Sequence, residues 1–198
     1  MQVVLKYCNM KIYGRHALAC FRNPGHIRRH SALNDVIQRA LRSAEIPSIL
    51  EPAGLAREDG RRPDGITTLS FRKGKCLVWD ATCAHTFCHT NLARSAVEAG
   101  AAALQAENRK RERYQNISRE YLFEPLAFKT SCVFGPSTLK LVNELGRKIQ
   151  QVTGEPRETL WMKQRLGMAI LRGNATSVLC SVKRVQDTVW HATGIEHL

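Results

Sequence analysis

The stretch from Arg61 to Thr82, RRPDGITTLSFRKGKCLVWDAT, constrains the fold more than any other part of this 198-residue chain. It opens on Pro63-Asp64-Gly65, where proline presets φ and glycine permits a sharp change of direction. Two apolar, β-branched runs follow, ITTLSF and CLVW, separated by Arg72-Lys73-Gly74-Lys75. That pattern predicts a β-hairpin. A hairpin brings the end of its second strand back to the start of its first, so Asp64 and Asp80, sixteen positions apart, are expected side by side. Two adjacent carboxylates repel unless a cation sits between them, and oxygen-only ligands suit Mg²⁺. The plainer alternative is that each aspartate caps a turn. Glu51, closing the short run SILE before Pro52, is a third carboxylate that either joins the pair or lies exposed at a strand end.

The carboxylates stand in a basic chain, with 30 Lys and Arg against 17 Asp and Glu, a formal charge of +13. Such an excess points to a polyanionic partner, most often nucleic acid. The alternative is a basic protein that merely stays soluble. Seven scattered cysteines, an odd number, do not form a secreted disulfide framework, so a reducing, intracellular compartment is expected. No apolar run approaches the ~20 residues a bilayer span needs, and the N-terminal run MQVVLKYCNMKIYG is too short for a secretory signal. The chain opens inside what reads as a metal-binding pattern, so it is expected to be the tail of a longer polypeptide.

That pattern is Cys8, His16 and Cys20, spaced as zinc ligands can be, with His26 or His30 as a fourth. A small basic segment with buried cysteines is the competing reading, because a structural zinc site normally begins with two close cysteines. Arg28-Arg29-His30 follows, and charge this dense is expected to face solvent or phosphate. A helix is predicted from a Ser31 cap, with Leu33, Val36, Ile37, Ala40 and Leu41 on one face, stopping before Pro47. After the hairpin, Cys83, His85, Cys88 and His89 crowd together, but buried thiols and surface imidazoles explain them more simply than zinc.

A long helix is expected from about Leu92 to Ile117, with Val97, Ala101, Ala103 and Leu104 toward the sheet. Lys110 and Tyr114, four apart, share a face near its end, beside Arg113. Residues 121–129, YLFEPLAFK, read as a strand broken by Pro125, at an edge or on the far side of the sheet. A helix from Gly135-Pro136 through Val152 carries Leu139, Val142, Leu145 and Ile149, and a last helix runs from Pro156 to about Leu179 with Lys163, Arg165 and Arg172 outward. The expected fold is α/β (α+β), a small mixed sheet flanked by helices. Its parts are a basic zinc-knuckle-like segment 1–30, a core 31–130, a helical part of the same domain 131–182 and a tail 183–198. In such a frame Asp64 and Asp80 can hold a metal and Lys110 can stabilise developing charge, which is the equipment of phosphodiester hydrolysis.

The order Arg29-His30, Glu51-Pro52, Arg62-Pro63-Asp64-Gly65, Val78-Trp79-Asp80-Ala81-Thr82-Cys83, then Lys110 with Tyr114, resembles the C-terminal region of non-LTR retrotransposon polyproteins over roughly residues 8 to 180. That region carries a restriction-enzyme-like endonuclease of the PD-(D/E)xK class. The resemblance implies a nuclear or cytoplasmic, Mg²⁺-dependent enzyme that nicks target DNA. A reverse transcriptase region of the same polyprotein then primes on the cut end, with the element's RNA as a further partner. Pro63-Asp64 matches the family's PD and Asp80 its second acid. Thr82 stands where a lysine is expected, and families of this type draw that lysine from the following helix, where Lys110 lies. Glu51 and Tyr114 are expected to accompany the catalytic set, and Arg28, Arg29, His30, Arg61, Arg62 and Arg113 to contact DNA, His30 matching the family's basic-His motif. Cys8, His16 and Cys20 match three ligands of a CCHC knuckle. Ser31 replaces the family's asparagine and Lys129 an acidic residue, departures that allow a decayed, merely nucleic-acid-binding fragment; a zinc-containing interaction domain is the third reading.

Overall fold

The computed structural model describes residues 3–5, 8–10, 17–18, 23–56, 60–85 and 100–193. Its centre is a four-stranded sheet of β3 (Ser48–Leu50), β4 (Gly65–Arg72), β5 (Lys75–Ala84) and β6 (Leu122–Lys129), in that spatial order. The β3–β4 and β4–β5 pairs are antiparallel, and β5–β6 is parallel. A separate two-stranded ribbon joins β1 (Val3–Leu5) and β2 (Cys8–Met10). Four helices among the described residues complete a mixed α/β architecture: α1 (Pro24–Ser43), α2 (Ala101–Arg113), α3 (Pro136–Thr153) and α4 (Glu158–Thr193).

β5 is covered on both faces, and its side chains alternate between them. Leu77, Trp79 and Ala81 enter the main core with Leu33, Ile37 and Leu41 of α1, Leu141 and Leu145 of α3, and Met162, Leu166 and Ile170 of α4. Val78 faces the other way, into a smaller cluster with Tyr114 and Phe123. Asp80, two positions on, therefore stands on the α2 side of the sheet. The turn between β4 and β5 is Lys73-Gly74, both at positive φ, which glycine tolerates without strain.

Several boundaries differ from the sequence expectations. α1 begins seven residues before Ser31: the Asn23 side chain accepts from the Gly25 N–H and Pro24 occupies the first turn, a cap hidden because Ile27 alone there makes no apolar stripe. The helix thus runs across the expected boundary at residue 30, and α3 and α4 share one core with α1 and the sheet. β5 continues beyond Asp80 to Ala84, and β6 passes unbroken through Pro125, as an edge strand permits. In α2, Ala102 and Ala103 are buried while Leu104 is largely exposed; Val97 lies outside the described residues. Leu141 rather than Leu139 joins the α3 stripe. The chain expected to fray from residue 183 continues α4 to Thr193. No helix among the described residues is long and apolar enough to cross a membrane.

Candidate functional site

The hairpin register sets the site. Gly65 pairs with Trp79, and the Asp64 N–H donates to the Trp79 carbonyl at 3.0 Å, so Asp64 sits one step from Asp80 across the ladder. Gly65 is required here, because a Cβ at that position would lie 2.1 Å from the Trp79 indole. The Ala81 N–H donates to Asp64 Oδ2 at 2.6 Å, anchoring the carboxylate to the strand that carries Asp80. From α1, His30 Nε2 meets the same oxygen at 3.1 Å. From α2, Lys110 Nζ donates to Asp80 Oδ1 at 2.6 Å. The Tyr114 hydroxyl, one helical turn further, also donates to Asp80, while its ring packs 4.9 Å from Phe123.

One ligand atom each from His30, Asp64 and Asp80 lies within 4.8 Å of the others, the only such trio among the described residues. Donors on opposite sides of a hard divalent ion stand roughly 4 Å apart. The two carboxylates suit Mg²⁺, whereas an imidazole suits softer ions. For Mg²⁺, then, Asp64 and Asp80 fit as ligands and His30 as the group that orients Asp64.

The electrostatics divide the two acids. Burial acts to raise Asp64, but the hydrogen bond and charge of His30, the Ala81 N–H and the Lys110 charge outweigh it and hold the group below its ordinary value. Burial also raises Asp80, the Asp64 charge adds to it, and Lys110 and Tyr114 offset only part, so Asp80 ends above its ordinary value. His30 is raised, chiefly through its bond to Asp64. Burial, then the Asp80 charge, pushes the Tyr114 phenol up.

The structure thus brings together Asp64, Asp80, Lys110 and Tyr114. Glu51 is adjacent only through its backbone, its N–H donating to the Asp64 carbonyl at 2.8 Å; its carboxylate turns outward to pair with Arg62. Arg61, Arg62 and Arg113 are exposed near the site: two directly precede Pro63-Asp64, and Arg113 adjoins Tyr114. Arg29 is not a surface contact. It is 1% exposed, donating to Asn174 Oδ1 at 2.9 Å and to the Leu18 carbonyl at 3.2 Å. Internal carbonyl groups solvate this guanidinium, which the dense-charge expectation overlooked. Arg28 is exposed but lines a different groove, between α1 and α4, with Trp161, Arg165 and Arg172.

Among the zinc expectations, Cys8 falls on β2, and His16, Cys20, Cys88 and His89 lie outside the described residues. Cys83 is a free thiol that burial pushes up to about 11. Lys129 ends β6 buried.

Sequence reading missed Asn34. Its Oδ1 accepts from the Trp79 indole N–H at 3.1 Å and its amide nitrogen lies 3.5 Å from His30 Nδ1, linking the core tryptophan to the imidazole that holds Asp64. The signal was available in the i, i+4 spacing of His30 and Asn34, but only once the helix is known to start before both. Compared with known proteins, the chain matches no family model and no curated protein closely enough to count as a relative.

Proposed function

We propose that the chain is an Mg²⁺-dependent DNA endonuclease domain of retrotransposon type, nicking target DNA for primed reverse transcription. The observation that carries this reading is the convergence of Asp64 and Asp80, from a turn and a strand, with Lys110 from a helix on the same side of the sheet. Asp64 and Asp80 would hold the ion, which supplies charge for the scissile phosphate and a lowered pKa for water. Lys110 presents a cation beside them for the charge that develops on the phosphate oxygens. Tyr114 restrains the Asp80 carboxylate, and His30, itself fixed through Asn34, restrains Asp64. A net charge of +13 favours encounter with the polyanion.

A second reading, a nucleic-acid-binding fragment without catalysis, draws support from the same contacts: Lys110 and His30 already engage both acids internally. Supercoiled plasmid with Mg²⁺ separates the two. Nicked circles are expected from the wild type, and Asp64→Ala, Asp80→Ala and Lys110→Ala should each lower nicking about 10²–10³-fold. Nicking unchanged in both aspartate variants would refute the assignment, and binding without nicking in any divalent metal would establish the second reading.

A further inference from the structure

A second charged concavity lies between α1 and α4, on the opposite side of the sheet from Asp80. The two helices run antiparallel in close contact: a Cβ on Gly25 would lie 2.3 Å from Ser177 Oγ, and one on Gly173 would lie 2.5 Å from the Arg29 Cβ. Glycine at both places lets the backbones approach, and a groove of about 990 Å³ runs beside the seam. Since Arg29 meets Gly173, the neighbouring Arg28 and Arg172, both exposed and both lining the groove, stand at one level on opposite walls. Neither guanidinium has an acidic partner among the described residues. The other two arginines of the groove are matched, Arg39 by Asp35 at 2.7 Å and Arg165 by Glu158 at 3.3 Å.

Two unmatched cations facing each other repel unless an anion sits between them, and the planar fork of a guanidinium fits the oxygens of a phosphate. Farther along the groove stands Trp161, eleven residues from Arg172, or about 16 Å at 1.5 Å per residue. Its ring is half-buried, and the Arg157 guanidinium lies over one face, 4.9 Å from the centroid. A phosphate clamp and an indole in one groove are the two parts of a single-strand site, a basic track and a stacking platform. At roughly 3.4 Å per nucleotide a stacked strand spans the distance between them in about five. A duplex does not suit the groove. Its bases are stacked on one another and offer no face to an indole, and the helices that wall the groove pack at about 8–10 Å between axes.

We propose that the α1–α4 groove binds a single-stranded segment of nucleic acid, with one phosphate held between Arg28 and Arg172 and a base stacked on Trp161. The site is separate from the carboxylate pair: α1 and α4 cover the face of β5 that carries Leu77, Trp79 and Ala81, and Asp80 stands on the other. It needs no metal ion, so it stands whether or not the chain nicks DNA.

Fluorescence anisotropy with labelled oligothymidine and oligouridine of about 12 nucleotides tests the proposal, in EDTA so that no ion at Asp64 and Asp80 contributes. The wild type is expected to bind one or both strands, the comparison telling DNA from RNA, and unlabelled duplex should compete about tenfold less well than the unlabelled single strand. Trp161→Ala should weaken binding roughly 5- to 100-fold, and Trp161→Phe, which keeps a ring, should restore most of it. Arg28→Ala combined with Arg172→Ala should flatten the dependence of log affinity on log salt by about 0.7, one phosphate contact on a single strand. Arg147→Ala, which removes an exposed charge on α3, should leave that slope unchanged. Helical circular dichroism retained in each variant separates these effects from misfolding. No binding of either strand, duplex competing as well as single strand, or wild-type affinity in both Trp161→Ala and the arginine pair overturns the proposal.

Discussion

Glu107 illustrates how a single residue can hold a helix in place. It is fully buried in α2, yet its carboxylate accepts from the backbone N–H groups of Ser137 and Thr138 at 3.1 and 3.2 Å and from the Thr138 hydroxyl at 3.4 Å. These are orphan donors at the start of α3, where the helix dipole favours a negative charge. Gly135 makes room for it, since a Cβ there would lie 2.2 Å from Glu107 Oε1. Glu107→Ala leaves buried amides unpaired and should cost about 2–4 kcal/mol of unfolding free energy, measurable by urea denaturation. Nothing in its local sequence, a charged stretch of helix from Glu107 to Arg113, marks Glu107 for burial. Its partners lie some 30 positions on, and local periodicity carries no information about them. Arg29 was misread for the same reason, its guanidinium being met by Asn174, 145 positions away.

At the scale of elements, the β4–β5 hairpin was legible because turn residues and a two-residue period are local signals, and the proximity of Asp64 to Asp80 follows from strand arithmetic. The start of α1 was not legible, since Asn23-Pro24 is followed by a turn without an apolar stripe, and so His30 was not seen as a partner of Asp64. The hairpin also couples packing to the site. Gly65→Ala would drive a methyl group into the Trp79 indole and shift the ring from Asn34, which in turn positions His30. A loss of about 1–3 kcal/mol is expected, with a drop in thermal midpoint read by circular dichroism. Plasmid nicking should fall by more than the small unfolded fraction explains, because a displacement on the order of 1 Å at a charged site is felt in rate.

For the molecule as a whole, composition suggests a class of partner but no point of contact. The excess of positive charge is spread over loop and helix: Arg61 and Arg62 before the hairpin, Arg113 in the last turn of α2, and Arg28 and Arg172 along the α1–α4 groove. Phosphate contacts release counterions, so log affinity for duplex DNA should fall linearly with log salt, with a slope near −0.9 per phosphate contacted. Replacing Arg61 and Arg62 together by alanine should flatten that slope by about 2 in fluorescence anisotropy titrations. The mixed α/β class, the β4–β5 hairpin and the helical flanks followed from pattern; the parallel β5–β6 pair, formed across an intervening helix, is a non-local feature that sequence period does not encode.

The contact between Lys110 and Asp80 has a further meaning for how this molecule is assembled. A tethered amine balances the more deeply set acid, so Asp80 can be buried as the chain folds without a divalent ion beside it. An ion entering there has to compete with a cation that never diffuses away. Under the proposed function, an approaching phosphodiester would give that amine somewhere else to go, tying occupancy of the pair to the presence of the strand.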